Sequence, residues 1–360
     1  MSTAAATAPR STDRVAKWGI AIFLLLAIGG LFYVKWFPLF NKALLASSKH
    51  SIGASIVSGT AAAPPPFSFA AAWDYALAYG ADIWTAIVLG LLLGSAVQTL
   101  VPRDWLLKVL GKAGAKSSMV AALAAVPSMM CTCCSAPVVV GLHRAKASPG
   151  AVMAYWLGNP VLNPATIVFM GFVLGWNWAL LRIGVGVVLV AAAAIIGNRF
   201  ATHKLVPESA TRAAFAAVDD AQGVDANPFV AWGRNLWRLV VGLIPEYIVI
   251  VMVLGAARAF LFPAMSPALG GSLFLMLGLA IAGTLFVIPT AGEVPIVQTL
   301  LSYGLGAGSA GALMITLPAV SLPSLVMVGR AVPARLLTRI AILVAISGVV
   351  TGLIALVLHI

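Results

Sequence analysis

Long apolar stretches recur from one end of this chain to the other, at 18–34, 75–101, 117–142, 149–175, 178–197, 236–257, 270–302, 309–329 and 335–358. At a 1.5 Å rise per residue, each can cross a hydrocarbon core about 30 Å thick as a helix. Composition agrees. The chain is 61% hydrophobic and 9% charged, where soluble domains carry about 25% charged residues. A membrane barrel would show alternating segments of about 10 residues instead. The expected class is therefore all-α and polytopic, with the lipid bilayer as solvent. The formal charge of +12 is spread over the ends of the apolar stretches, which fits cytoplasmic loops beside anionic lipid and gives no footprint for nucleic acid.

The chain divides at its polar segments. Residues 1–38 read as a cytoplasmic tail and first transmembrane helix, uncleaved because "KWFPLF" follows the apolar run instead of a small-residue cleavage site. Residues 39–72 read as an external loop, with room for a short interfacial helix. Residues 73–197 and 234–360 form two permease-like halves joined by a cytoplasmic linker, 198–233. A shift of 158 superposes Pro137 on Pro295, Gly150 on Gly308, Pro160 on Pro318 and Gly171 on Gly329. Gly and Pro set backbone geometry, so this register predicts a duplicated unit.

Charge bias refines the topology. If every stretch spans and the N-terminus is cytoplasmic, about half of the 22 Lys and Arg lie inside. If 117–142 and 270–302 dip in and return to the side they left, about three quarters do, with Arg182 and Arg258 among the few outside. Each half then has three crossings and one re-entrant hairpin. An odd number of crossings inverts the second copy, an architecture common among secondary transporters. The predicted fold is two inverted repeats preceded by one extra N-terminal helix.

That fold gives meaning to "PSMMCTCCSAP", residues 127–137, which holds all 3 cysteines at the tip of the first hairpin. The opposed tip is "VIPTAGEVP", 287–295. "GNPVLNP", 158–164, and "LPAVSLP", 317–323, are further breaks. Irregular backbone at membrane depth is tolerated only in protein or around a watery cavity. The candidate substrate-binding residues are thus Met129, Met130, Cys131, Cys133, Cys134, Ser135, Asn159, Asn163, Thr290 and Ser321. Glu293, ionisable inside an apolar stretch, fits either a proton-coupling carboxyl or a structural cap on the broken backbone. Glu246 is a second carboxyl, nearer a helix start, that fits either the same function or a complement to the helix dipole. The sulfur cluster fits buried small hydrophobes or, through Cys131 and Cys133, a transported soft ion or metalloid. An odd, tightly spaced set of cysteines is no disulfide framework. No structural metal, cofactor or catalytic residue is expected, since no convincing Cys/His pair is present. No G-x-x-x-x-G-K-[ST] run occurs either.

The run "PSMMCTCCSAPVVVGLHRAKASPGAVMAYWLGNPVLNP" resembles the bacterial predicted permeases that include the methylarsenite efflux permeases (ArsP/YraQ type), and the likeness extends over about residues 75–358. The resemblance implies a permease of the bacterial inner membrane; for the arsenical members it implies export of trivalent organoarsenicals recognised through thiols. Cys131 and Cys133 match the family's C-x-C pair, and Cys134 stands where many members have a small residue. The expected function is secondary export of a small thiophilic substrate coupled to protons. Permeation of a small sulfur-containing or other anion is the alternative within transport, and a membrane redox sensor or assembly partner the alternative outside it. Oligomeric state is left open.

Overall fold

The computed structural model describes residues 10–61, 63–101, 103–202, 228–262 and 272–360. Residues 1–9 of the expected tail and 203–227 of the expected linker lie outside them. The described residues form helices, with one isolated bridge between Ser55 and Gly59 as the only β pairing among them. In chain order the helices are α1 Arg10–Leu31, α2 Phe37–Lys49, α3 Phe69–Thr99, α4 Arg103–Leu106, α5 Ala115–Ser128, α6 Thr132–Arg144, α7 Pro149–Val161, α8 Pro164–Val173 and α9 Trp176–Thr202. The second half adds α10 Pro228–Leu261, α11 Leu273–Leu285, α12 Glu293–Ser302, α13 Ala307–Ala319, α14 Leu322–Gly329 and α15 Ala334–Val357.

Among the described residues, six helical stretches are long and apolar enough to cross a membrane: Trp18–Lys49, Phe69–Thr99, Trp176–Phe200, Phe229–Leu261, Ala307–Gly329 and Ala334–Val357. Their outward faces carry large apolar side chains such as Leu25, Trp84, Phe260 and Val357. In water such a surface would drive aggregation; in lipid it is the solvated face.

The first span is longer than the sequence suggested. A π-helical turn, Phe32–Trp36, joins α1 to α2 and carries the helix to Lys49. The expected external loop at 39–72 therefore starts as helix. Pro38 looked like a terminus, but it sits in the first turn of α2, where its missing N–H costs little once a π turn has widened the preceding ladder.

The two halves share a rhythm. Ala115, Pro149, Pro164 and Trp176 open helices whose counterparts open at Leu273, Ala307, Leu322 and Ala334, each 158 residues later. Their packing is also alike. Ser148 N–H donates to the Leu110 carbonyl at 2.7 Å and Ser117 Oγ lies 3.4 Å from Ser148 Oγ, so α5 and α7 start side by side. Further along, Gly158 meets Ala122 and Ala125, which makes the two helices parallel. In the second half Gly308 faces Met276 and Gly283 faces Leu313 and Thr316, so α11 and α13 are parallel as well. Tyr75 packs at Gly255, while Trp232 Nε1 donates to Ser95 Oγ at 2.8 Å; α3 and α10 therefore run in opposite directions.

Glycine permits the tightest of these contacts. A Cβ on Gly90 would overlap the Cys134 carbonyl, and one on Gly94 would overlap the Pro137 carbonyl, so α6 lies almost backbone to backbone on α3. Arg182 is another departure from expectation. Counted among the outside charges, it instead lies within α9 with a relative exposure of 0%. The helix begins at Trp176, so Arg182 stands six residues inside it, with Trp178 buried nearby.

Candidate functional site

Proline, a residue before proline and side-chain caps create the breaks from which the site is built. Pro127 lies in the last turn of α5, and Met129 then takes a left-handed φ of 48°, ending the helix. Cys131 restarts the chain as the N-cap of α6, its sulfur accepting from Cys134 N–H at 3.3 Å. Thr132 is thereby the first residue of a helix, and Cys131 and Cys134 stand one turn apart. The sequence had paired Cys131 with Cys133. Cys133 instead faces Ser321, with 3.3 Å between Sγ and Oγ.

Asn159 holds this first tip in place. Its Oδ1 accepts from Ser128 Oγ and from Met130 N–H, while its Nδ2 donates to the Tyr155 carbonyl at 2.7 Å. Asn163 has a different task, capping α8 through Oδ1 to Ala165 N–H at 3.1 Å. Its buried Nδ2 has no hydrogen-bond partner among the described residues and borders the central cavity. The Ser135 hydroxyl turns back to the Thr132 carbonyl at 3.1 Å.

The second tip is the irregular stretch between α11 and α12, with Ala291 at φ 66°. Glu293 opens α12 and is 1% exposed. Its Oε1 lies 2.7 Å from Nη1 of Arg182. The approach is off the N–H direction, and neither carboxylate oxygen has an aligned hydrogen-bond donor among the described residues. Arg182 is better served: Nε donates to the Val161 carbonyl at 3.0 Å, Nη2 to Pro160 at 2.8 Å and Nη1 to Met314 at 3.4 Å. Those carbonyls belong to the broken helices α7 and α13. Pro164 and Pro318 supply no N–H to the Pro160 and Met314 carbonyls four residues before them, and Ala165 N–H goes to Asn163 instead of Val161, which leaves all three acceptors for a guanidinium. One cation thus ties both halves to the second tip. Sequence reasoning missed it, because a base six residues into an apolar segment looks like an end.

A second missed cation is Lys35. It is 6% exposed, inside the first span, and donates to Thr290 Oγ1 at 2.9 Å. Its neighbour Trp36 donates through Nε1 to the Pro127 carbonyl at 2.6 Å. Consecutive residues of the π turn therefore touch both tips.

Between the tips lies a narrow cavity with about 10 Å³ of space for water centres, room for one water. Met130, Cys131 and Thr132 line it from the first tip, Pro289, Thr290, Ala291 and Glu293 from the second. Pro160, Asn163 and Thr166 close it on one side and Leu317 and Pro318 on the other. Of the sequence candidates, Met130, Cys131, Asn163, Thr290 and Glu293 meet there. Cys133, Cys134, Ser135, Asn159 and Ser321 are buried behind this lining, and Met129 borders a separate apolar cavity beside Trp36 and Phe40. No group of three or more His, Cys, Asp or Glu side chains suited to a metal ion occurs among the described residues. Glu246 stands elsewhere, half-exposed and ion-paired to Arg330.

The family described as predicted permease (ArsP_1) matches residues 68–357. Similar proteins include the UPF0718 protein YraQ of Escherichia coli (strain K12), 48% identical over 341 residues, which cover 94% of this chain and 95% of that one. The UPF0718 protein MJ0584 of Methanocaldococcus jannaschii is 21% identical over 339 residues, covering 75% of this chain and 91% of the relative. No solved structure gives a significant match.

Proposed function

The chain belongs to the predicted permease family, a multi-pass membrane transporter rather than an enzyme by that kinship, and from this premise we propose that it is a secondary permease whose small substrate passes between the two tips. The observation that carries the reading is the meeting of Cys131 and Glu293, from opposite halves, on one cavity. Buried thiols that form no disulfide, next to a buried ion pair, suit a soft, thiophilic cargo such as a trivalent organoarsenical. Cys131 is the contact residue. Cys134, one turn on, is the second sulfur the cargo meets when the tip opens, and Cys133 with Ser321 positions the helix behind them.

Glu293 and Arg182 supply the coupling. A proton taken up by Glu293 would break the ion pair and free Arg182, which holds the carbonyls of α7 and α13. Proton binding and movement of the broken helices are linked in this way, as alternating access requires.

Inverted repeats with re-entrant hairpins belong to the same proposal. Supporting them are the constant spacing of 158 residues, the parallel pairs α5 with α7 and α11 with α13, and the opposed directions of α3 and α10. Charge bias favours a cytoplasmic N-terminus in the bacterial inner membrane. The test is uptake of trivalent methylarsenical into everted vesicles, with and without a pH gradient. Gradient-dependent accumulation by wild type, lost in Cys131→Ser and in Glu293→Gln, supports the reading; accumulation unchanged by both substitutions overturns it.

A further inference from the structure

Lys35 poses a problem that the transport reading does not use. An ammonium group in the interior of a membrane-embedded chain is costly, and such groups are usually paired. Arg182 has Glu293. Lys35 has only a neutral hydroxyl, Thr290 Oγ1 at 2.9 Å, and no carboxylate among the described residues lies within ion-pair distance of it. An ammonium has three N–H donors, so two remain to be satisfied.

The place those donors can reach is a cavity of about 160 Å³ on the far side of the second tip. Lys35 and Lys42 line it from the first span, Asp82 from α3, and the turn Pro289–Gly292 from the tip. Two ammonium groups, Lys35 and Lys42, thus face one carboxylate, Asp82, and the lining keeps a net positive charge. The central cavity and this vestibule share Pro289, Thr290 and Ala291 as a common wall. A solute at Lys35 would therefore stand one residue's thickness from Cys131 and Glu293.

We propose that this vestibule is a binding site for a small polyatomic oxyanion, with Lys35 as its counter-charge and Thr290 as the hydroxyl shared between lysine and ligand. Arrival of an anion would draw the Lys35 ammonium from Thr290 and loosen the wall between the two cavities. The bond to Thr290 sets a cation against a neutral oxygen, whereas a bound oxyanion would set opposite charges against each other at a shorter distance, enough to compete with the hydroxyl. The inference goes beyond the transport reading, since an anion would bind here whether or not it, or anything else, is carried across.

Binding can be read without transport. Thermal unfolding of the purified full chain in detergent would be followed with sodium sulfate, sodium thiosulfate or sodium chloride at one ionic strength. The expected result is a saturable rise in melting temperature with sulfate and thiosulfate over chloride, kept in Lys35→Arg and lost in Lys35→Gln. Direct titration with radiolabelled sulfate should show affinity falling about tenfold or more in Lys35→Gln. Without anion, Lys35→Gln should be at least as stable as wild type, because a buried unpaired charge has been removed; that baseline separates loss of the site from loss of the fold. No difference between chloride and the oxyanions in wild type, or an undiminished shift in Lys35→Gln, would overturn the proposal.

Discussion

The two tips occupy matching places in the two halves and are built in opposite chemistries. The first is soft and neutral, with Met130, Cys131, Cys133 and Cys134 packed around a tip that Asn159 fixes by hydrogen bonds. The second is hard and ionic. It presents Thr290 and Glu293, and is held by two buried cations from elements outside it, Lys35 and Arg182. The difference teaches that a duplicated frame can keep one backbone plan while dividing labour. On the proposed reading, one copy recognises the cargo and the other carries the charge that moves.

Several substitutions would sharpen or break this contrast. The largest effect is expected at Arg182. Arg182→Met leaves Glu293 buried without a partner and abandons three carbonyls, a loss of about 3–5 kcal/mol in unfolding free energy measured in detergent. Glu293→Gln should cost less, since Arg182 keeps its carbonyls, yet it should abolish gradient-driven transport. Equal stability losses in the two would mean that the pair, not the guanidinium, holds the halves together.

Next is the close approach of α6 to α3. Gly94→Ala puts a methyl group into the Pro137 carbonyl and should destabilise by about 1–3 kcal/mol while disordering the first tip alone. Asn159→Ala removes the anchor of the same tip. It leaves Met130 N–H short of a partner while Ser128 falls back on the Ala125 carbonyl, at about 1–2 kcal/mol, and should speed alkylation of Cys131 by maleimide. Unchanged alkylation would show that the tip is held by packing alone. The smallest effect is expected for Ser135→Ala, whose hydroxyl only returns to its own helix. A change within about 1 kcal/mol and intact transport are anticipated.

What was legible in the sequence were the breaks, because Pro127, Pro160, Pro164, Pro289 and Pro318 announce irregular backbone in otherwise apolar runs. The 158-residue register was legible for the same reason. The cations were not. Arg182 and Lys35 stand near tryptophans or proline at apparent ends of apolar runs, where bases usually reach the interface. Continuation of the first span to Lys49 puts Lys35 inside, and packing of α9 against the broken helices buries Arg182. Pairing among the cysteines was equally hidden. Spacing alone favours Cys131 with Cys133 at a turn, but once Thr132 starts a helix, residues three apart share a face and Cys134 becomes the neighbour.

The most direct test of the central claim, that a soft substrate meets Cys131 in a cavity governed by Glu293, is substrate protection. Wild type in everted vesicles would be labelled at Cys131 with a maleimide while trivalent methylarsenical is titrated in, alongside Glu293→Gln and a Cys133→Ser/Cys134→Ser background that leaves Cys131 as the only thiol. Saturable protection of Cys131, with a concentration dependence altered by Glu293→Gln, is the predicted result. Labelling that the arsenical leaves untouched at every concentration would contradict the account.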